Sequence, residues 1–96
     1  MVYAMGILEV RNFTEWKSAH DIEEGVALRK ASGMKSYRIL KSNENPNKIV
    51  HLSQWDNIDD ARKFLHSEEL QRANEQSGVI EMSSVYFLEE VENKSV

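Results

Sequence analysis

Two apolar-rich runs, Met34–Lys41 (MKSYRILK) and Lys48–Trp55 (KIVHLSQW), are separated only by SNENPN, a turn-forming cluster that holds the single proline. Runs of this kind read as strands, and so short a connection predicts an antiparallel hairpin. No other feature constrains the fold as much, because it sets a sheet in mid-chain against which the flanking segments must pack. Tyr3–Val10 is apolar and loosely alternating, and predicts a first strand. Asn12 with Glu15 has the form of a capping box opening a helix, with Phe13, Trp16, Ala19 and His20 on one face. Ala27, Leu28 and Ala31 continue that face beyond Gly25, where a bend is expected, and Ser32-Gly33 is the stop signal.

After the hairpin, Asp56-Asn57 opens a second helix in which Ile58, Ala61, Phe64 and Leu65 recur at helical spacing. Ser67 restarts it as a segment carrying Leu70 and Ala73, and Gly78 ends it. Val79–Val91 predicts the last strand. The order βαββαβ is that of the split-βαβ, ferredoxin-like α+β fold: one four-stranded antiparallel sheet with its helices on one face. Residues 1–92 are expected to form a single domain, with 93–96 a flexible tail. A small sheet covered on one side leaves its other face to be covered by something, and a second copy of the chain is the simplest partner, so a homodimer is expected.

Composition removes several classes of function. The chain has 96 residues, a formal net charge of −4, and no basic run longer than Arg29-Lys30. Nucleic-acid binding, which needs a positive footprint, is therefore not expected. Without cysteine there are no disulfides, thiolate metal sites or cysteine nucleophiles. The opening MVYAMGILEV has no basic n-region, contains Glu9 and is too short to span a bilayer, so a cytoplasmic protein without a membrane partner is expected. His20 with Glu23 and Glu24, and His66 with Glu69, have helical spacing but no second histidine, so no metal site is expected. There is no phosphate-binding glycine loop, no nucleophile elbow and no HExxH.

The residue that asks for an explanation is His51, set inside the apolar run IVHLSQWD. If the hairpin pairs symmetrically about its turn, Arg38 lies opposite His51, Ser36 opposite Ser53, and Met34 opposite Trp55. Tyr37, Ile39, Val50 and Leu52 then face the helices, and the Arg38–His51 cluster faces the partner side. A neutral His51 would accept a proton from a ligand hydroxyl. Arg38 would stabilise the oxyanion, and Trp55, Tyr37 or Tyr86 would hold a ring. The same cluster also reads as a hydrogen-bonded network closing a dimer interface. His20, beside Trp16, reads either as a second base in a pocket between helix and sheet or as a half-buried packing residue.

Three stretches together resemble a known family: VRNFTEW after the first strand, IVHLSQWDNIDDARKFLHSEEL from the hairpin into the second helix, and the ending SGVIEMSSVYFLEEVE. They are similar to dimeric α+β barrel proteins, namely the antibiotic-biosynthesis-monooxygenase group and its cyclase-like relatives. The resemblance runs from Val2 to about Glu92 and implies a homodimer whose two sheets close into one barrel, with a ligand pocket beside each sheet. It further implies a cofactor-independent monooxygenase or cyclase, in which a hydroxylated aromatic or polyketide-like compound is deprotonated and its anion reduces dioxygen directly. Alternatives within the same fold are a non-catalytic homodimeric small-molecule-binding or structural module and a haem-handling protein, for which the helical His66 is the positional candidate.

Overall fold

The computed structural model describes residues 1–96, and its elements follow the expected order with each helix divided in two. They are β1 (Val2–Val10), α1 (Phe13–His20), α2 (Glu23–Ser32), β2 (Met34–Lys41), β3 (Lys48–Trp55), α3 (Ile58–Leu65), α4 (Glu68–Ser77) and β4 (Val79–Glu89). The strands form one antiparallel sheet in the order β2-β3-β1-β4, the ferredoxin-like arrangement. From Glu90 onward there is no regular structure. No helix is long and apolar enough to cross a membrane.

The helix boundaries follow from local chemistry. Asn12, Asn57 and Ser67 each accept a hydrogen bond from a first-turn backbone N–H of α1, α3 and α4. Gly33 and Gly78 close α2 and α4 in the left-handed conformation, with φ of 104° and 84°. The first helix breaks at Asp21-Ile22 rather than at Gly25. Ile22, a β-branched residue, is extended with ψ 152° and starts α2 without a side-chain cap. Gly25 lies inside α2 and serves a close approach: a Cβ there would stand 3.3 Å from the His20 carbonyl and 3.4 Å from Arg29 Nη1.

The hairpin is where the symmetric register fails. Met34 does pair with Trp55, but Lys35 is bulged, and from there Ser36 pairs with Gln54, Tyr37 with Ser53, Arg38 with Leu52 and Ile39 with His51. One extra residue in β2 shifts every later pairing by one. Tyr37 and Ile39 face the helices as expected, but so do Ile49, His51, Ser53 and Trp55. Val50 and Leu52 lie on the open face with Arg38.

The core under the helices has two parts. Ala4, Trp55, Ala61 and Phe64 form one cluster, and Leu8, Val10, Trp16 and Ile49 form the other. Along β1 and β3 the rung between them is the pair Gly6–His51.

Candidate functional site

At that middle rung the helical layer opens. A cleft of about 510 Å³ runs between α1–α2 on one side and α3–α4 on the other, and reaches the sheet at Leu8, His51 and Met82. Its interior is mainly apolar, with Trp16, Leu28, Phe64 and Leu70 on its walls. A few polar groups in an apolar concavity are the ordinary form of a small-molecule site. Gly6 keeps the sheet side open, because a Cβ built on it would meet nothing within 4 Å. Directly paired residues project to the same side, so a side chain at Gly6 would rise beside His51.

Two histidines meet there from different elements. His20 ends α1, His51 lies in β3, and their Nε2 atoms are 3.2 Å apart. Tyr37, brought alongside by the bulge in β2, stacks on His51 with ring centroids 5.3 Å apart and meets the edge of His20 at 5.2 Å. Trp16 lies against the other side of His20, at 5.0 Å. Both imidazoles are held neutral. Burial, then the Arg29 guanidinium, lowers His20 from 6.5 to about 4, against a smaller opposing pull from Asp21. Burial, then His20, then Arg29, lowers His51 to about 3.

A hydrogen bond between the facing Nε2 atoms requires that one carry a hydrogen and the other a lone pair. Nδ1 of His20 is buried without a hydrogen-bond partner, and Asp21 Oδ1 stands 3.6 Å from it, too far for a hydrogen bond. Electrostatics favours a proton on that Nδ1, facing the carboxylate. His20 Nε2 then accepts from His51 Nε2–H, which leaves His51 Nδ1 with a lone pair and no protein partner. The arrangement supplies a proton acceptor inside an apolar cleft.

The other residues singled out in the sequence fall elsewhere. Arg38 is exposed on the opposite face of the sheet from His51, so the proposed Arg38–His51 pair, whether in a pocket or across an interface, does not form. Trp55 is wholly buried in the core against Phe64 and gives its indole N–H to Ser53 Oγ at 2.8 Å, so it presents no surface to a ligand. Tyr86 pairs with Met5 on the open face and is 48% exposed. His66 caps α3 at the surface, outside the cleft. No three histidine, aspartate or glutamate side chains come together in a way that could hold a metal ion.

Two contributors were missed from sequence. Gly6 lies in the middle of the first predicted strand with no role of its own there, and Arg29 stands only as part of a basic pair. The available signal was Gly25 one helical turn before Arg29, since a glycine inside a helix marks a close approach, here that of the Arg29 side chain to the end of α1.

The fold has relatives. No curated protein matches the chain. Among solved structures it is similar to an antibiotic biosynthesis monooxygenase-type protein from Bordetella bronchiseptica, with a TM-score of 0.75 at 15% identity over 94% of this chain and 96% of that one. A protein of the same type from Deinococcus radiodurans aligns with a TM-score of 0.71 at 17% identity, over 100% of this chain and 98% of that one. SnoaB, a cofactor-independent oxygenase from Streptomyces nogalater, aligns with a TM-score of 0.73 at 14% identity, over 96% and 94% of the two chains. At these identities the likeness establishes the fold. The sequence itself matches the antibiotic biosynthesis monooxygenase family model over residues 20–76, a span that starts at His20 and includes Arg29, Tyr37 and His51, and the chain belongs to that family.

Proposed function

We propose that the protein is a cofactor-independent oxygenase acting on a small hydroxylated aromatic, with His51 as the general base. The observation that carries this reading is the pair of neutral histidines, 3.2 Å apart, at the sheet side of an apolar cleft. His20 orients the acceptor and shares its proton, and Tyr37 packs against both rings. Family membership and the likeness to a cofactor-independent oxygenase support the reaction type.

The chemistry balances without a cofactor. The substrate hydroxyl gives its proton to His51, and the resulting anion donates electrons to dioxygen and forms a carbon–oxygen bond to it. The peroxide takes that proton back from His51, and the resulting hydroperoxide loses its ring proton and hydroxide, together one water, and leaves a carbonyl. All electrons come from the substrate; one oxygen atom is kept and the other leaves as water. A pKa of about 3 makes His51 a weak base toward an isolated phenol. The oxyanion formed beside it supplies an opposite charge that draws the imidazole pKa back up, so proton transfer and anion stabilisation are coupled.

The working unit in this reading is a homodimer closed through the open sheet face, where Leu40, Tyr86 and Leu88 are 53%, 48% and 41% exposed. Sedimentation of the purified chain as a monomer at micromolar concentration would remove that element. Oxygen uptake with hydroquinones, anthrones and naphthols tests the reaction. Turnover with one class is expected, falling at least about 100-fold in His51→Ala, the usual scale for loss of a general base. Absence of uptake across the panel, or turnover unchanged in His51→Ala, would rule the reading out.

A further inference from the structure

Among lysine, arginine, aspartate and glutamate only Arg29 is buried, with 9% of its surface exposed, and it lines the cleft. A buried guanidinium is ordinarily paired with a carboxylate, because removing its charge from water is costly. Arg29 has no such partner. It forms no ion pair, although Glu24 and Glu69 line the same cleft. Its Nη2 donates to the His20 carbonyl at 2.8 Å, and its remaining N–H donors make no hydrogen bond to the protein. The guanidinium carbon lies 5.3 Å from the centre of the Tyr37 ring, which itself stacks on His51.

Its placement follows from local design. The bond to the His20 carbonyl occupies one edge of the guanidinium at the end of α1, and Gly25 leaves room for Nη1 to lie close by. The side chain is therefore fixed in direction, while its positive charge is left without a counter-ion in an apolar concavity. Such a group favours a ligand that brings the negative charge itself, and the planar fork suits an oxyanion.

We infer that Arg29 is the anion-recognition residue of the cleft, and that the ligand presents to it an oxyanion: an ionised hydroxyl on an aromatic ring, or a carboxylate. For an ionised hydroxyl this rests on the proposed oxygenase site and deepens it, since the proton leaves toward His51 while the oxygen it leaves pairs with Arg29. Binding itself needs no turnover, so the two ideas can fail separately.

The test is anaerobic binding of matched ligand pairs, followed by calorimetry and by the fluorescence of the cleft-lining Trp16. Hydroxynaphthoquinone, whose acidic enol is ionised at neutral pH, is compared with its methoxy ether, and naphthoate with naphthamide. The wild-type protein should bind at least one anion at least about tenfold more tightly than its neutral partner, as expected for a charge-assisted bond. Arg29→Gln should remove that preference without abolishing binding of the neutral compound, and Arg29→Lys should keep part of it. Should Arg29→Gln fail to fold, the wild-type and Arg29→Lys comparisons still decide.

Preference for naphthoate alone would keep Arg29 in its role and make the anion a carboxylate, which counts against the hydroxyaromatic substrate. Preference for hydroxynaphthoquinone without oxygen uptake on any hydroxylated aromatic would keep Arg29 and remove the oxygenase reading. Equal affinity within both pairs, no binding of either anion, or a preference that survives Arg29→Gln would overturn the inference.

Discussion

Ser53 and His51 sit two residues apart on the same face of β3, and each carries polar atoms into an apolar interior. Their surroundings differ. Ser53 Oγ donates to the Ala4 carbonyl at 3.2 Å and accepts the Trp55 indole N–H at 2.8 Å, so this group of polar side-chain atoms is complete within the protein. The one hydrogen-bonding partner of His51 is His20, which has its own buried Nδ1 without a partner, and beside them stands a guanidinium without a carboxylate. The first group holds a core together. The second holds unsatisfied capacity facing a cleft, which is what a binding site requires and a core excludes.

If that contrast is correct, damage to the complete group should appear in stability. Trp55→Ala is expected to cost about 3–5 kcal/mol, the usual range for removing a buried aromatic. Ser53→Ala leaves the indole N–H without its acceptor and should cost about 1–3 kcal/mol. Urea unfolding checks both. A Trp55→Ala protein of unchanged stability would mean that the indole does not support the fold as its complete burial implies.

The histidine group should behave in the opposite way. The double variant His20→Leu/His51→Leu removes both partners of one contact together with the desolvated Nδ1, so stability should change by no more than about 1 kcal/mol in either direction. Oxygen uptake, by contrast, should disappear. A loss of stability on the scale of Trp55→Ala would place this pair with the structural group after all.

Acid separates the same two groups more finely. The neutral histidines bind fewer protons when folded than when unfolded, because their pKa values of about 4 and about 3 lie below the ordinary 6.5. Their contribution is therefore intact above pH 6.5 and is lost progressively as the pH falls toward 4 and 3. Unfolding midpoints across that window should fall in the wild-type chain and fall less steeply in the double leucine variant. The Ser53–Trp55 group contains nothing that titrates there, so Ser53→Ala should lower the whole curve without changing its slope. Equal slopes in all three proteins would contradict the burial of the imidazoles.

The elements were legible in the sequence because they depend on local chemistry. The caps Asn12, Asn57 and Ser67, the terminators Gly33 and Gly78, and both hairpin strands stand where residue type alone sets them. His20 and His51 could be picked out as the wrong kind of residue in apolar runs. Which residues of β2 share a face with His51 was not legible, since that depends on a bulge at Lys35, an exposed lysine whose extra place in the strand leaves no mark on the alternation. That one residue separates Arg38 from His51 and brings Tyr37 in its place. Arg29 was hidden for a different reason: a charged helix residue normally points to water, and only the tertiary approach of α2 to the end of α1 buries it.

Gly6 offers the finest test, because it divides the two roles at a single position. It lies in a strand without positive φ, next to neither a turn nor a close backbone contact, so alanine should be tolerated and should gain about 0.4–1 kcal/mol by restricting the unfolded chain. Leucine at the same place should also fold, since its side chain would enter open space beside His51 rather than an occupied core. Binding should respond in the other direction, weakening from Gly6→Ala to Gly6→Leu for the anionic and neutral members of each ligand pair alike, because the bulk removes room without touching Arg29. Gly6→Leu that folds as well as wild type and no longer takes up ligand would establish the rung between the two core clusters as the place where the ligand lies. Undiminished binding in that variant would move the ligand off the sheet and toward the mouth of the cleft between α2 and α4.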